Sequence, residues 1–342
     1  MSLVTLVVLV ALAARPGIGL PAGHASLAAA ASASPSGSEI GPPPAPSELT
    51  AALPIPSVSP TPGATPYPPL AAGIVPMLYL HRVEAVPPEW GSWSLPHQRR
   101  FLAYDVLPDN FAADLDWLVA NGYTTILPRD LAAHWDNGTP LPLRPVIISL
   151  DDGFPSWIKT VLPMLQSRHM VAEFYLTLDA ISSFSVTWNQ MRRLAAAGMG
   201  IGAHDVHHVE LAQRGPGLPP ASAAEMWFEV NQARLTIGRQ LGRLPDSMAY
   251  VGGGYNAQLV ALVKRAGYTT ARSVEGGVSQ DRADRYVLRV VALSACDDVS
   301  NVVTEPLTPG LPVFAARMSG AHVPSPICHG LGRPPPSNLR ES

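Results

Sequence analysis

The chain of 342 residues is poor in cysteine and in charge. Cys296 and Cys328 are the only cysteines, which excludes a framework of several disulfides. A single disulfide between these two residues is compatible with the sequence. They also lack the CxxC spacing of a zinc site built from thiolates. Charged residues make up only 14% of the chain, with 23 basic side chains against 26 acidic ones. Because nucleic acid binding needs a basic face, this balance argues against nucleic acid as a partner.

The N-terminus has an apolar run that is too short to span a bilayer comfortably. Residues 3–13 have the length of a signal-peptide core, and small residues suited to cleavage follow, for example Ala31-Ser32-Ala33. We therefore expect residues 1–20 to be an export signal, and a retained membrane anchor is the alternative. In either case the protein is expected outside the cytoplasm, secreted or held at the membrane by this segment.

Charge and bulky apolar residues are almost absent from residues 21–73, which consist mainly of Ala, Ser, Pro and Gly. Such a segment cannot bury enough surface to offset the entropy of ordering, so a disordered linker is predicted. The 37 prolines of the chain are concentrated at its two ends. Residues 304–342 are again rich in Pro and Gly and are expected to form a poorly ordered tail, which leaves one domain over residues 74–303.

Within residues 74–303, apolar strand patterns alternate with helical ones. This order predicts a largely parallel sheet with helices outside it. The count fits a β/α barrel better than an open sheet, although periodicity alone does not separate the two. In both folds, chemistry collects at the carboxyl ends of the strands. The predicted strands span residues 75–81, 123–127, 146–150, 171–176, 199–203, 247–251 and 269–273, and the predicted helices span 111–121, a short stretch from 131, 157–168, 188–197, 221–241 and 257–266.

Two adjacent carboxylates stand at the end of the strand at residues 146–150. Asp151 and Asp152 follow an apolar run and precede Gly153. Neighbouring residues of a strand point to opposite sides, so at least one carboxylate of a central strand must face a positive group. A simple strand-to-loop turn is the alternative, because Asp and Gly both tolerate turn geometry.

Two histidines four residues apart, His204 and His208, follow the strand at residues 199–203. This spacing puts both imidazoles within reach of one ion, and imidazole with carboxylate oxygen suits zinc or a neighbouring first-row metal. Two histidines and one strand-end carboxylate would leave an open coordination position for water, which is the pattern of catalytic sites. A second carboxylate could then act as a base on that water.

These residues lie in motifs that resemble those of the polysaccharide deacetylases of the NodB-homology class, carbohydrate esterase family 4. The resemblance covers residues 75–293 and is strongest to the branch that deacetylates exported poly-N-acetylglucosamine. Ser-Leu-Asp-Asp-Gly-Phe at 149–154 resembles T-F-D-D-G-Y, and Ala-His-Asp-Val-His-His-Val-Glu-Leu at 203–211 resembles S-H-T-x-x-H-P-x-L. Residues 248–256 resemble F-A-Y-P-Y-G-x-Y-N, and residues 75–83 resemble the V-P-V-L-x-Y-H-x-V opening of the circularly permuted members.

The resemblance implies a distorted seven-stranded barrel that removes N-acetyl groups from N-acetylglucosamine units of a cell-surface or wall polysaccharide, releasing acetate. The implied cofactor is a divalent metal, with zinc expected. The implied partner is the N-acetylated polysaccharide. By motif position, the metal ligands would be Asp152, His204 and His208, the general base Asp151 and the general acid His81. Gly252 would supply an oxyanion donor through its backbone N–H, Tyr250 would lie on the same substrate side, and Arg289 would support the catalytic carboxylate.

The sequence departs from these motifs at several positions. Val251 replaces the motif proline and Gly252 the following aromatic, while Asp205 replaces a small hydroxyl residue. His207 is an additional imidazole, which we expect to face solvent because alternating positions face apart. Trp90 and Trp93, on the loop after His81, are candidates for sugar contact. An O-acetyl esterase on the same scaffold and a non-catalytic glycan-binding module are the alternative functions.

Overall fold

A computed structural model of the chain describes residues 67–182, 185–213 and 217–293, together with residue 318. The predicted signal, most of the linker, both cysteines and most of the predicted tail lie outside these ranges. Met318 falls in the predicted tail and is buried, at 2% exposure. In the described ranges, no helix has the length and apolar character that crossing a membrane requires.

The β-structure is parallel throughout its named strands. The strands are β1 (Met77–Leu80), β2 (Arg82–Val83), β3 (Asp105–Val106), β4 (Thr124–Thr125), β5 (Pro145–Asp152), β6 (Glu173–Leu176), β7 (Gly200–Ala203), β8 (Ser247–Ala249), β9 (Thr270–Gly276) and β10 (Leu288–Ala292).

Seven of these strands close into a barrel. The order is β1-β10-β9-β8-β7-β6-β5, and β5 pairs back with β1, aligning Leu78 with Ile148 and Leu80 with Leu150. β4 adds to the amino-terminal part of β5, and β2 pairs only with β3. The predicted β/α barrel is confirmed. Because all seven strands are parallel, their carboxyl ends lie together at one mouth of the barrel.

Helices connect the strands on the outside of the barrel. They are α1 (Leu95–Tyr104), α2 (Pro108–Ala120), α3 (Pro128–Asn137), α4 (Leu162–Gln166), α5 (Trp188–Ala196), α6 (Ala223–Leu241) and α7 (Ala257–Ala266). A π-helical turn at Trp157–Val161 precedes α4, and short 3-10 helices lie at Pro88–Ser92, Leu178–Ala180 and Val251–Gly253. Residues 157–168 were expected to form one helix, but the first turn is wound more loosely than the rest.

Local sequence explains where several of these helices begin and end. Thr187 and Ser222 accept hydrogen bonds from the N–H groups three residues on, and both form capping boxes at the starts of α5 and α6. α6 and α7 end at Gly242 and Gly267, whose φ angles of 73° and 92° lie in the left-handed region that glycine adopts most readily.

The two faces of the barrel strands have different compositions. The outer face packs against the helices and belongs to the large apolar core, which includes Leu78, Ile148, Phe174 and Met248. The alternate residues point into the barrel, where a smaller cluster includes Met77, Ile147, Tyr175, Ala249 and Val290. Asp151 lies four residues after Ile147 on β5 and therefore on the same face of the strand. It is an interior residue at the carboxyl end of the strand.

Parts of the domain were not predicted from the sequence. β2, β3 and β10 were not assigned as strands, and residues 95–104 were not assigned as a helix. In α1 the proline at residue 96 lies in the first turn, a position where the missing N–H costs nothing. β10 has exposed residues at Arg289 and Ala292, so its pattern is not the continuous apolar run of a fully buried strand.

Candidate active site

The two adjacent carboxylates of β5 reach the same mouth of the barrel. Asp151 is 2% exposed, and Asp152 is the last residue of the strand. Strand alternation alone would separate their side chains, but Asp152 has a φ of 83°, outside the strand region. The turn at Asp152 therefore breaks the alternation and lets both carboxylates face one site.

Asp152, His204 and His208 converge on one point. Their candidate ligand atoms all lie within 4.8 Å of one another, the single such group of three or more in the described ranges. Oδ1 of Asp152 lies 3.4 Å from Nε2 of His204 and 3.1 Å from Nε2 of His208. That oxygen is buried and makes no well-directed hydrogen bond among the described residues. Two nitrogens and an orphaned oxygen aimed at one point fit a first-row divalent ion.

The tautomer of His204 suits metal binding. Its Nδ1 lies 2.9 Å from the carbonyl oxygen of Ala249 and donates a hydrogen bond to it. In the neutral ring, Nε2 therefore carries the lone pair, and this nitrogen faces Asp152. A backbone carbonyl in this position is the usual way in which a ligand histidine is oriented.

Neighbouring charges shift the pKa values of Asp152 and His204 in opposite directions. Burial by itself would raise the pKa of Asp152, but the imidazoles of His204 and His208 hold that pKa well below its usual range. Burial would lower the pKa of His204, but the carboxylates of Asp151 and Asp152 raise it above its ordinary value. The site therefore concentrates negative charge where a cation would bind.

The backbone is strained around the same point. Four non-glycine residues in the described ranges have positive φ, and three of them are Asp152, Asp205 (63°) and His208 (52°). Such conformations cost of order 1–3 kcal/mol each and persist where surrounding structure enforces them. The strain therefore marks the loops that carry the candidate ligands.

Arg272 on β9 holds Asp151 from inside the barrel. Its Nη2 donates a hydrogen bond to Oδ2 of Asp151, and its guanidinium lies 4.4 Å from the ring centroid of Tyr79. Arg272 is completely buried. Oδ1 of Asp151 is buried and makes no hydrogen bond among the described residues, while Oδ2 also lies 3.7 Å from Nε2 of His204, beside the candidate ligands.

His81 lies at the same mouth, directly after β1. Its Nε2 is 3.2 Å from the hydroxyl of Tyr79, and Tyr104 from α1 meets its ring edge-on with centroids 4.8 Å apart. Burial lowers the pKa of His81, and the carboxylates of Asp152 and Asp151 only partly oppose this effect. The imidazole is therefore oriented by two tyrosines, and burial favours its neutral form.

Glu229 on α6 anchors the loop that carries the two candidate histidine ligands. Its Oε2 accepts hydrogen bonds from the N–H groups of Val206 and His207, at 2.8 and 3.0 Å. Its Oε1 accepts a hydrogen bond from Nδ1 of His207 at 2.6 Å. Asp205 lies buried beside it, and burial with the nearby Glu229 charge raises the pKa of Asp205 well above its usual range. His207 is thus engaged with Glu229 and stands outside the group of three candidate ligands.

The third motif forms a tight turn beside the site. Gly252 has a φ of 64°, and a Cβ there would lie 2.9 Å from Oε1 of Glu210. The aromatic residue expected at this motif position would therefore be strained and crowded in this turn. The hydroxyl of Tyr250 donates a hydrogen bond to the carbonyl oxygen of Tyr286 at 3.0 Å. The ring of Tyr250 is thus held in the core with its hydroxyl satisfied.

The prediction for Arg289 is corrected by the structure. Arg289 is on β10 with an exposed side chain, because it alternates with the interior residues Leu288 and Val290. The arginine that contacts Asp151 is Arg272. Sequence reasoning missed Arg272 and Glu229, because each lies on an element with no recognisable motif around it. A buried-strand pattern interrupted by arginine at residue 272 was the one available signal.

Comparisons with known proteins agree with this geometry. Residues 139–271 match the family described as Polysaccharide deacetylase. The putative polysaccharide deacetylase YxkH of Bacillus subtilis (strain 168) is 24% identical over 185 residues, which cover 54% of this chain and 64% of that protein. The chain thus matches somewhat less than two thirds of that relative.

Solved structures share the fold at low sequence identity. The Streptococcus pyogenes deacetylase PplD, in complex with acetate, superimposes with a TM-score of 0.58 at 20% identity over 67% of this chain and 95% of that one. IcaB from Ammonifex degensii gives a TM-score of 0.56 at 18% identity, covering 72% and 98% of the two chains. The match over residues 139–271 identifies a polysaccharide deacetylase domain of the NodB type (carbohydrate esterase family 4) within this chain, and the solved structures share its barrel.

Proposed function

We propose that the protein is a metal-dependent hydrolase that removes N-acetyl groups from N-acetylglucosamine units of a cell-surface or wall polysaccharide, releasing acetate. The observation that carries the proposal is the group formed by Asp152, His204 and His208 at the same barrel mouth as Asp151 and His81. Zinc is the proposed metal, because two imidazoles and one carboxylate are ligands that it takes readily. An exported location, secreted or anchored, accompanies the proposal because such polymers lie outside the cytoplasm.

The proposed mechanism divides the proton transfers between two residues. When bound, the ion supplies Lewis acidity toward the acetyl carbonyl and toward a water molecule. Asp151 takes the proton of the attacking water, and its Oδ2 lies beside the candidate ligand His204. Arg272 fixes the orientation of that carboxylate.

His81 protonates the amine that leaves when the amide bond breaks. Its lowered pKa makes it a ready donor once it carries a proton, and Tyr79 and Tyr104 hold its ring in place. The backbone N–H of Gly252 is the proposed donor to the oxyanion of the tetrahedral intermediate, where charge absent from the substrate develops. The products are acetate and a free amino sugar.

Acetate release from N-acetylglucosamine oligomers tests this function. Wild-type protein should release acetate when zinc is present, lose that activity on chelation and regain it when zinc is returned. Asp151→Asn should lower kcat by about 1000-fold or more, because general-base catalysis and charge stabilisation at the reacting water are both lost. Full activity in Asp151→Asn would remove the base assignment.

A panel of acylated substrates separates the amide from the ester alternative. Acetate release from O-acetylated xylan without release from N-acetylglucosamine oligomers would favour the esterase. Arg289→Met is a matched control for the active-site variants, because Arg289 is exposed on the outer side of β10. Its activity should equal that of the wild type.

A further inference from the structure

A groove beside the candidate active site is not used by the proposed chemistry. It has a volume of about 300 Å³, which matches the lower range of small-molecule sites. We call it the aromatic groove, and it is lined mainly by Arg82, Glu84, Glu89, Trp93, His97 and Phe101.

The aromatic groove adjoins the reacting centre. Arg82 directly follows His81, and its guanidinium lies 4.8 Å from the ring centroid of Phe154, two residues after Asp152. Phe101 belongs to α1, the helix whose Tyr104 packs on the ring of His81. A ligand in the groove would therefore lie near a sugar at the active site.

One wall of the groove is aromatic. Trp93 and His97 stack nearly parallel, at 9° and with ring centroids 3.9 Å apart. Trp90 and Phe101 pack on this pair, with Phe101 meeting Trp93 at a 64° angle. The mutual packing fixes the rings before any ligand arrives. Rigid aromatic walls suit the apolar face of a sugar ring and also attract cations.

The charge of the groove favours a cation. Arg82 is paired, because its Nη2 donates to Oδ2 of the buried Asp105 at 2.7 Å. Burial raises the pKa of Asp105 to about 7, so the pair is neutral overall above that pH. The carboxylates of Glu84 and Glu89 form no ion pair with any described residue. Two unpaired carboxylates beside an aromatic wall repel anions, and they attract an ammonium group more strongly than a neutral acetamido group.

We infer that the aromatic groove is a binding subsite for a hexosamine unit with a free ammonium group, on the same polymer as the unit being deacetylated. The inference rests on the proposed function, whose product is such an amino sugar. An amino sugar made in one turnover would hold the chain for the next one. The protein would accordingly act faster on partly deacetylated polymer than on fully acetylated polymer.

Binding of a fully deacetylated glucosamine tetramer tests the subsite directly. This ligand has no acetyl group, so calorimetric titration of the full-length, zinc-loaded protein is not disturbed by turnover. At a pH where the amines are protonated, Glu84→Gln and Glu89→Gln should each weaken binding about threefold, and the double variant about tenfold. Asp116→Asn, an exposed carboxylate on α2 paired with Arg168, is the matched control and should bind like the wild type.

A neutral ligand of the same shape isolates the ammonium group. Cellotetraose, with hydroxyl groups in place of the amines, should bind the wild type about tenfold more weakly than the glucosamine tetramer. Equal affinity for the two ligands would overturn the inference, as would glutamate variants that bind like Asp116→Asn. Thermal unfolding of each variant checks that the fold is intact, and Glu89 is exposed, so its substitution should leave stability unchanged.

Failure of the subsite and failure of the proposed deacetylase activity would give different results. Absence of acetate release from every substrate, together with glutamate-dependent binding of the tetramer, would reject the deacetylase but retain the subsite. Acetate release with no preference for partly deacetylated oligomers, and no glutamate-dependent binding, would reject the subsite alone.

Discussion

Arg272 on β9 donates a hydrogen bond to the carboxylate of Asp151 on β5, across the interior of the barrel. Both side chains are almost completely buried, at 0% and 2% exposure. A buried ion pair of this kind leaves an uncompensated charge when one partner is removed, and that loss costs far more than the pair contributes. The pair therefore links the stability of the barrel to the orientation of the proposed base.

Removal of the arginine alone should destabilise the fold. Arg272→Met is expected to lower the free energy of unfolding by about 3–5 kcal/mol, because the buried carboxylate of Asp151 is left without its partner. The double variant Asp151→Asn/Arg272→Met should regain a large part of that loss. Urea denaturation of the two single variants and the double variant measures the coupling. Strictly additive losses would contradict the pairing, and Arg289→Met should change stability by less than about 0.5 kcal/mol.

Adjacent histidines provide a sharp test of the metal ligands. His208→Ala should lower zinc affinity by about 100-fold or more, since loss of a ligand costs at least as much as loss of its supporting contacts. His207→Ala should retain the metal, because Nδ1 of His207 is engaged with Glu229. The zinc content of each variant is measured by mass spectrometry after dialysis. Equal zinc content in the two variants would show that residue 208 is not a ligand.

Glu229 should act on the metal through the loop that it holds. The carboxylate of Glu229 accepts hydrogen bonds from two backbone N–H groups and from the His207 ring. Glu229→Gln removes the charge that strengthens these bonds, so the loop between His204 and His208 should loosen. Zinc affinity is expected to fall about tenfold, as for other residues that orient ligands.

Competition with a chromophoric chelator measures the affinity of Glu229→Gln. His207→Ala is the control, because it removes the exposed contact and leaves both backbone hydrogen bonds to Glu229 in place. If His207→Ala lost as much zinc affinity as Glu229→Gln, the effect would come from the imidazole contact and not from the backbone hydrogen bonds.

Glu173, at the amino-terminal end of the barrel strands, should make the stability of the protein depend on pH. Glu173, the first residue of β6, lines a cavity of about 120 Å³, and burial raises its pKa from 4.5 to about 8. The folded protein therefore keeps a proton that the unfolded chain releases in this interval. Glu173 thus makes the free energy of unfolding decrease as pH rises from about 4.5 to about 8, at up to about 1.4 kcal/mol per pH unit.

Substitution of Glu173 should remove this dependence. Glu173→Gln cannot ionise, so it should be more stable than the wild type near pH 9 and lose less stability between pH 5 and pH 9. Urea denaturation at several pH values measures the difference, with Glu275→Gln as a control at an exposed carboxylate. Parallel pH profiles for Glu173→Gln and the wild type would contradict the prediction.

The motifs predicted the convergence of the candidate ligands well, because each short segment follows a strand of a parallel sheet. Asp152, His204 and His208 meet as the alternation of strands and helices implied. The support around them could not be predicted in the same way. Arg272 and Arg289 both lie on barrel strands, and the closure of the barrel decides which of them faces the interior.

The amino-acid sequence alone specified a parallel sheet, the end of its strands at which chemistry collects and the resemblance of the domain to a known family. These follow from local patterns: apolar runs, caps, glycine stops and ligand spacing. The folded chain added the closure of the sheet into a barrel, the contact of Arg272 with Asp151, the anchoring of the ligand loop by Glu229 and the groove beside His81. The reason is physical, since contacts between separate elements, 121 positions apart for Arg272 and Asp151, depend on strand register and side-chain direction, which no local pattern specifies.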